Sequence, residues 1–120
     1  MVKRWMALAA FGAVTLMLPA TAHAFEKIDS RTDFVSLIDG KALTRFGIKL
    51  DVTGQGDILG RGFGRDVTGA WQWQGNYFCR SLYWGTYDLG YNCQEARVNG
   101  DTLRFTSDQG AGDSADLKLR

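Results

Sequence analysis

The residues of this chain that could take part in chemistry are two cysteines, a set of carboxylates and one histidine. Cys79 and Cys93 would be nucleophiles or zinc ligands as free thiols, but they would form a disulfide in an oxidising compartment. His23 is the only histidine, and it lies at the end of an N-terminal segment that we expect to be removed. The remaining chain would have no Ser-His-Asp or Cys-His arrangement and no histidine ligand. We therefore expect no catalytic residue, no metal site and no cofactor.

Residues 1–24 have the three-part layout of a secretory signal peptide. Two basic residues precede an apolar run at residues 5–18, which is too short to span a bilayer comfortably. Ala22 and Ala24 then form an A-x-A cleavage site just ahead of Phe25. We expect a periplasmic or secreted protein that keeps no membrane anchor after cleavage, with residues 25–120 as a single domain.

The charge of the chain does not indicate a nucleic-acid partner. Removal of Lys3 and Arg4 from the 14 basic residues leaves 12 against 13 acidic ones, so the exported chain would be nearly neutral. A nearly neutral domain with scattered charges has no electrostatic footprint for nucleic acid or for an anionic membrane. We expect the partner to be an unidentified protein or a small ligand.

Two glycine-rich stretches, residues 54–60 and 60–65, superficially resemble dinucleotide-binding loops. Such a loop leads into a helix, whose N-terminus holds the pyrophosphate. Both stretches lead into strand-like sequence instead, so we interpret them as structural. The loop at residues 108–113 has two carboxylates that could bind Ca²⁺, but it lacks the ligand spacing and distal glutamate of an EF-hand, which favours a solvated turn.

Aromatic side chains are concentrated in residues 71–94, together with both cysteines. They could line a pocket for an apolar or sugar-like ligand, or they could form the core that a small domain needs. We favour the core, with Tyr87 exposed in a hairpin loop. The seven aromatic candidates are Trp71, Trp73, Tyr77, Tyr83, Trp84, Tyr87 and Tyr91.

Only one stretch that could position these residues is helical in pattern. Ser30 is a suitable N-cap, and Phe34, Leu37 and Ile38 share one helical face. Gly40 suits the position just after the C-terminus. Because two turns do not form a stable helix alone in water, we expect this helix to cap an open end of the β-structure.

The rest of the chain alternates between apolar and polar residues with a period of two, which is typical of strands. Phe46, Ile48, Leu50 and Val52 make one such face. Glycines at 60, 62 and 64 leave one face of the following strand bare. A bare face indicates strong curvature or close packing against a large side chain, and the tryptophans downstream are candidates to fill it.

Two hairpins follow from the turn residues. Pairing the strands on either side of Thr86 places Cys79 opposite Cys93 on one face, which is the geometry of a cross-strand disulfide. Asn99-Gly100 predicts a type I′ turn with Glu95 opposite Arg104, so an ion pair explains Glu95 better than acid–base work does.

These elements predict an all-β fold of seven or eight short antiparallel strands in a meander, closed as a small barrel or folded as a sandwich, with one short N-terminal helix.

The chain also resembles a group of small exported bacterial proteins. The similar motifs are G-x-W-x-W at residues 69–73, Y-F-C-R at 77–80, L-G-Y-N-C-Q at 89–94, R-F-T-S-D at 104–108 and G-D-S-A at 112–115. Members of that group often carry the label dihydrodipicolinate reductase, although the group has no established activity. The genuine reductase has a Rossmann domain, a second domain and paired catalytic histidines, none of which residues 25–120 reproduce.

No catalytic residue can therefore be transferred from that label. We expect a non-enzymatic exported β-domain that binds a ligand or a partner. The alternative is an enzyme, either the labelled nicotinamide-dependent reductase or a carboxylate-based hydrolase.

Overall fold

The structure, a computed structural model, describes residues 24–120. The predicted signal peptide lies outside this range except for Ala24, so export stays a prediction.

The described residues form nine strands, one α-helix and one short 3₁₀ turn. In chain order these are β1 (Glu26–Lys27), α1 (Arg31–Ile38), β2 (Leu43–Arg45), β3 (Ile48–Val52), β4 (Asp57–Gly62), β5 (Arg65–Gln74), β6 (Tyr77–Trp84), β7 (Tyr87–Asn99), β8 (Thr102–Thr106), the 3₁₀ turn (Asp108–Gly110) and β9 (Ser114–Leu119).

Strands β2 to β9 close into an eight-stranded antiparallel barrel. Each strand pairs with the next one along the chain, and β9 pairs with β2 to complete the circle. The prediction of an all-β meander with one short helix is confirmed, and the barrel is the correct form of the two that the sequence left open. Closure of the barrel pairs the backbone N–H and C=O groups that the edge strands of an open sheet would leave unpaired.

Strand β7 has 13 residues, which is long enough for it to pair with different neighbouring strands along its two parts. Its first part pairs with β6, and its second part pairs with β8. The short strand β1 pairs with β7 at residues 97–98, beyond the end of β6. Two residues are too few to show an alternating pattern, so β1 could not be predicted from the sequence.

The predicted helix closes one end of the barrel. Ser30 Oγ accepts a hydrogen bond from the backbone N–H of Asp33 at 3.1 Å, and Gly40 has a φ of 70° just after the helix, as both cap predictions require. Phe34 is completely buried and lies 5.0 Å from the Phe78 ring and 5.1 Å from the Trp71 ring. The helix is therefore stabilised by burying its apolar face in the barrel.

The bare face of β4 allows two strands to approach closely. A Cβ at Gly60 would lie 2.1 Å from the carbonyl oxygen of Lys49 on β3, so only glycine fits. Gly62, on the same inner face, lies against Trp84, with the Cδ1 atom 3.8 Å from the position of a Cβ. Close packing against a tryptophan, one of the two alternatives that the glycine spacing left open, is present at Gly62, whereas Gly64 lies in the turn before β5.

Two predictions of register were wrong. Phe46 does not begin a strand: it lies in the two-residue turn between β2 and β3, and it is 91% exposed. The hairpin between β7 and β8 turns at residues 100–101, one position later than predicted, so Glu95 lies opposite Thr106. Only Gly100 of these two residues has a positive φ, at 61°. The sequence predicted a type I′ turn with Asn99-Gly100 as its central pair. In the structure Gly100 is the first loop residue, which is the position where a type II′ turn favours glycine.

Candidate functional site

The inner face of β6 leads from the closed end of the barrel to the open end. Phe78, Arg80 and Leu82 alternate along this face, and all three line a cavity of about 210 Å³ inside the barrel. Phe78 also contacts Phe34 of α1, so the helix and its aromatic contacts form the floor of the cavity. The wall is apolar except for Arg45, Arg80 and Gln94, and its other residues are Leu43, Ile48, Leu50, Val52, Ile58, Phe105, Ala115 and Leu117.

A second apolar space of about 310 Å³ lies above the first, at the mouth of the barrel. The two spaces share Ile48, Leu50 and Leu82 as wall residues, so they adjoin each other. The residues that line only the upper space are also apolar: Gly62, Phe63, Val67, Trp84 and Leu89. An apolar ligand that enters at the mouth would therefore meet mainly apolar side chains down to Phe78, with Arg80 among them.

A β-bulge places one of these mouth residues. The pairing of β6 with β7 shifts between Leu82, which lies opposite Gly90, and Tyr83, which lies opposite Asp88. Leu89 is the extra residue of the shift, and its side chain lines the mouth. Bulges often redirect a side chain at the rim of a barrel, and this one brings Leu89 beside Trp84.

The indole of Trp84 is fixed on two sides. Its Nε1 donates a 2.7 Å hydrogen bond to the carbonyl oxygen of Gly62. The guanidinium of Arg65 lies 4.6 Å from the ring, within the range of a cation–π contact. The ring is thus held as part of the mouth.

Arg80 is the charged group deepest in the wall. Its Nη1 donates a 2.9 Å hydrogen bond to the carbonyl oxygen of Gly90 across the β6–β7 pair. Burial lowers the pKa of the Arg80 guanidinium below its ordinary value, because the charged form is incompletely solvated there. Arginine nevertheless keeps its proton in proteins, so a positive charge stands in the apolar wall.

The loop between β8 and β9 covers the cavity wall beside Arg80. Gln94 is buried and its Nε2 donates a 3.2 Å hydrogen bond to Ser107 Oγ. Asn92 donates to Asp108 Oδ1 at 2.8 Å, and its own Oδ1 accepts from the backbone N–H of Asp108 at 3.0 Å. The predicted solvated turn at residues 108–113 is thus attached to β7. Of the two aspartates in the turn, Asp108 is hydrogen-bonded to Asn92 of β7.

Two phenylalanines at the rim are exposed to solvent. Phe46 and Phe63 occupy neighbouring turns, with ring centroids 6.4 Å apart, and Phe63 is 61% exposed. Phe63 has a φ of 49°, in the left-handed region that glycine and asparagine favour. Its ring lies over Gly47, where a Cβ would come within 2.4 Å of it.

The disulfide lies outside this site. Cys79 and Cys93 face each other across β6 and β7 with their Cα atoms 3.9 Å apart, and they are bonded, as predicted. Because Phe78 and Arg80 point inward, Cys79 between them points outward. Tyr91 lies on the same outer face, with its hydroxyl 3.4 Å from Cys93 Sγ. The disulfide therefore joins two strands of the wall and has no contact with the cavity.

The aromatic residues of the sequence prediction do not form one cluster. Trp71 and Trp73 belong to the core around Phe34, as the core interpretation predicted, and Trp84 lines the mouth. The tyrosines lie elsewhere: Tyr77 is half-buried, and Tyr83, Tyr87 and Tyr91 are exposed. Tyr87 is exposed as predicted, but it is the first residue of β7 and does not lie in a hairpin loop. The wall of the lower cavity is mainly aliphatic, and Trp84 is the one predicted aromatic residue that lines either space.

The glycine-rich stretches form hairpins. Residues 54–60 form a turn and the first part of β4, and residues 60–65 form the β4–β5 hairpin. The predicted pair of Glu95 with Arg104 was wrong: Glu95 pairs with Arg97 at 2.7 Å, and Arg104 pairs with Asp116 at 2.8 Å. Neither pair faces the cavity.

Sequence reasoning missed Arg80, Leu82 and Gln94 as site residues. A charged residue in a half-buried strand is usually assigned to the outer face. The alternation of Phe78 with Leu82 was the available signal, because Arg80 lies between them at the same period. The sequence did not reveal that this part of the barrel is left unfilled.

In comparisons with known proteins, the chain matches no family model, and it shows no significant similarity to a curated protein or to a solved structure. Within residues 24–120, the single α-helix is too short to cross a membrane.

Proposed function

We propose that this protein is an exported, non-enzymatic binding protein that holds a small apolar ligand in the open end of its barrel. The observation that carries the proposal is the pair of adjoining apolar spaces, of about 210 and 310 Å³, with Leu82 in the wall of both.

Packing argues that this space serves a ligand. Protein interiors are packed as densely as organic crystals, and apolar cavities that are left empty lower stability. The closed end of this barrel follows that rule, since Phe34, Trp71 and Phe78 lie in ring contact. Dry apolar cavities are known to take up apolar molecules, and eight-stranded barrels are wide enough to hold one small ligand.

Export is part of the proposal. It is supported by the signal-peptide pattern of residues 1–24 and by the bond between Cys79 and Cys93, since disulfides persist mainly in oxidising compartments.

The test is a calorimetric titration of the purified full chain, expressed with its own N-terminal segment, with decanol as a neutral apolar probe. The wild-type protein should bind decanol, and Trp84 fluorescence should change as the mouth is occupied. Leu82→Trp should abolish binding, because the larger side chain would fill the space on both sides of it.

The matched control is Leu59→Trp, which adds the same side chain on the outer face of β4, where Leu59 is 51% exposed. This variant should bind decanol as the wild type does. Absence of binding to the wild type, or equal binding to Leu82→Trp, would contradict the proposal.

We also propose that the reductase label does not describe this chain. The mature part of the sequence has no histidine, and residues 60–65 are a hairpin where a dinucleotide loop would need a helix. Oxidation of a reduced nicotinamide cofactor by the purified protein with the cyclic dihydrodipicolinate substrate would refute this second statement.

A further inference from the structure

The wall of the lower cavity contains a cation that no carboxylate of residues 24–120 neutralises. Arg80 lies between Phe78 and Leu82, and all three line the same cavity. Its one hydrogen bond goes to the carbonyl oxygen of Gly90, and no carboxylate among residues 24–120 forms an ion pair with it.

Other arginines of the barrel have partners at the surface. Three of them form ion pairs with carboxylates: Arg61 with Asp66, Arg97 with Glu95 and Arg104 with Asp116.

Two more lie over tryptophan rings, Arg31 over Trp71 and Arg65 over Trp84. Arg45, which also lines the cavity, is exposed, and its charge helps to lower the pKa of Asp116 after the larger effect of Arg104. Arg80 thus differs from the three ion-paired arginines in lacking a carboxylate partner, and it differs from Arg45 in lining the cavity from a half-buried position.

Arg80 is half-buried, and the partial loss of hydration of its charge carries a cost that no carboxylate of residues 24–120 offsets. A carboxylate entering the cavity would remove that cost, and the planar guanidinium fork matches the two oxygens of a carboxylate. The N–H groups of Arg80 that do not bond to Gly90 remain as donors, while the aliphatic wall above and below them suits an alkyl chain.

We infer that the ligand of this barrel is a carboxylate with a single alkyl chain, and that Arg80 binds its head group. The inference rests on the proposed function, since it names the class of ligand for the same cavity. The alkyl chain lies along Leu82, Ile48 and Leu50 toward the mouth, and the carboxylate lies at the guanidinium.

The experiment compares decanoate with decanol, which share a chain and differ in the charge of the head group. The wild-type protein should bind decanoate roughly tenfold to a hundredfold more tightly, which is the usual worth of a charge-assisted hydrogen bond. Affinity along a series from hexanoate to decanoate should rise by about fourfold for each added methylene that the apolar wall covers.

Arg80→Met keeps the length of the side chain and removes its charge. This variant should bind decanoate and decanol equally, and a cooperative unfolding transition in urea serves as evidence that the barrel is intact. Arg80→Lys should retain part of the preference for decanoate. Arg61→Met is the matched control, since it removes an exposed arginine of β4 that does not line the cavity, and it should leave the preference in place.

The outcomes separate the two levels of the account. If the wild type binds decanol and decanoate equally, or if Arg80→Met keeps the preference, the carboxylate inference is wrong and the apolar binding site stands. If neither probe binds, the proposed function fails and the inference fails with it.

Discussion

Trp84 and Gly62 lie on strands that β5 separates, yet the indole Nε1 of Trp84 donates a 2.7 Å hydrogen bond to the carbonyl oxygen of Gly62. The bond crosses the inner face of the barrel wall and joins β6 to β4 at the mouth. It fixes the ring beside the cavity, with Gly62 lying against it.

The substitution Trp84→Phe should lower the free energy of unfolding through the loss of this bond, by about 1 kcal/mol beyond the cost of the smaller ring. Trp73→Phe is the control, because the Nε1 of Trp73 is buried without a hydrogen-bond partner in the described chain. Urea unfolding of both variants measures the difference. Equal losses would show that the bond between Trp84 and Gly62 adds nothing to stability.

Gly60 and Gly62 share the inner face of β4, but only Gly60 should be irreplaceable. A Cβ at position 60 would meet the Lys49 carbonyl oxygen at 2.1 Å, and a Cβ at position 62 would meet its nearest atom at 3.4 Å. Gly60→Ala should therefore destabilise the barrel by about 1–3 kcal/mol or prevent folding, because the backbone of β3 must move. Gly62→Ala should cost clearly less in the same thermal or urea unfolding measurement, and the reverse order would contradict the strand contact.

The sequence predicted the helix, the meander and the disulfide because each depends on local pattern. Ser30 and Gly40 mark the helix ends. Pairing about Thr86 correctly places Cys79 opposite Cys93, although the strands turn at residues 85–86 and the bulge at Leu89 shifts the register to give that pair. The bulge at Leu89 was not predictable, since its effect depends on how β6 and β7 twist together. The cavity was not predictable either, because it is defined by side chains from strands that are distant in sequence.

Phe63→Asn should stabilise the protein. Phe63 and Gly64 both have positive φ values, and Asn-Gly is the preferred pair for such a two-residue turn. Asparagine tolerates a left-handed backbone conformation better than phenylalanine does, so the free energy of unfolding should rise by about 1 kcal/mol. Phe46→Asn, at the neighbouring turn and without a positive φ, should give no such gain. A loss of stability in Phe63→Asn would mean that its ring contact with Gly47 outweighs the backbone strain.

Removal of the disulfide should destabilise the barrel without closing the cavity. The bond closes a loop of about 15 residues, which corresponds to about 3 kcal/mol in the chain-entropy account. The double variant Cys79→Ser with Cys93→Ser should show this loss in urea unfolding and should no longer respond to reductant. Since the bond lies on the outer face, the folded variant should still bind decanol, and selective loss of binding would contradict that placement.

Stability should fall in acid. Hydrogen bonds to Arg97, Lys118 and Arg104 lower the pKa values of three carboxyl groups, Glu95, Asp101 and Asp116 respectively. A folded pKa below the unfolded value gives stability that is present above the unfolded pKa, near 4 for such groups, and is lost as pH falls through the folded pKa.

Urea unfolding at neutral pH and at about pH 3 measures this loss. The variant Glu95→Gln should lose less stability than the wild type over the same pH interval. It lacks one of the carboxylates whose protonation breaks an ion pair. A rise in wild-type stability on acidification would have the wrong sign for this account.

The central claim is that a small apolar ligand enters the open end of the barrel, and NMR of the nitrogen-labelled protein tests it most directly. On addition of decanol, the indole N–H signal of Trp84 and the backbone signals of Leu82 and Leu89 should shift. The indole signal of Trp71, which is bonded to the Thr53 carbonyl oxygen at the closed end, should stay in place. Shifts confined to the outer face at Tyr83 and Tyr91, with Trp84 unchanged, would contradict the claim.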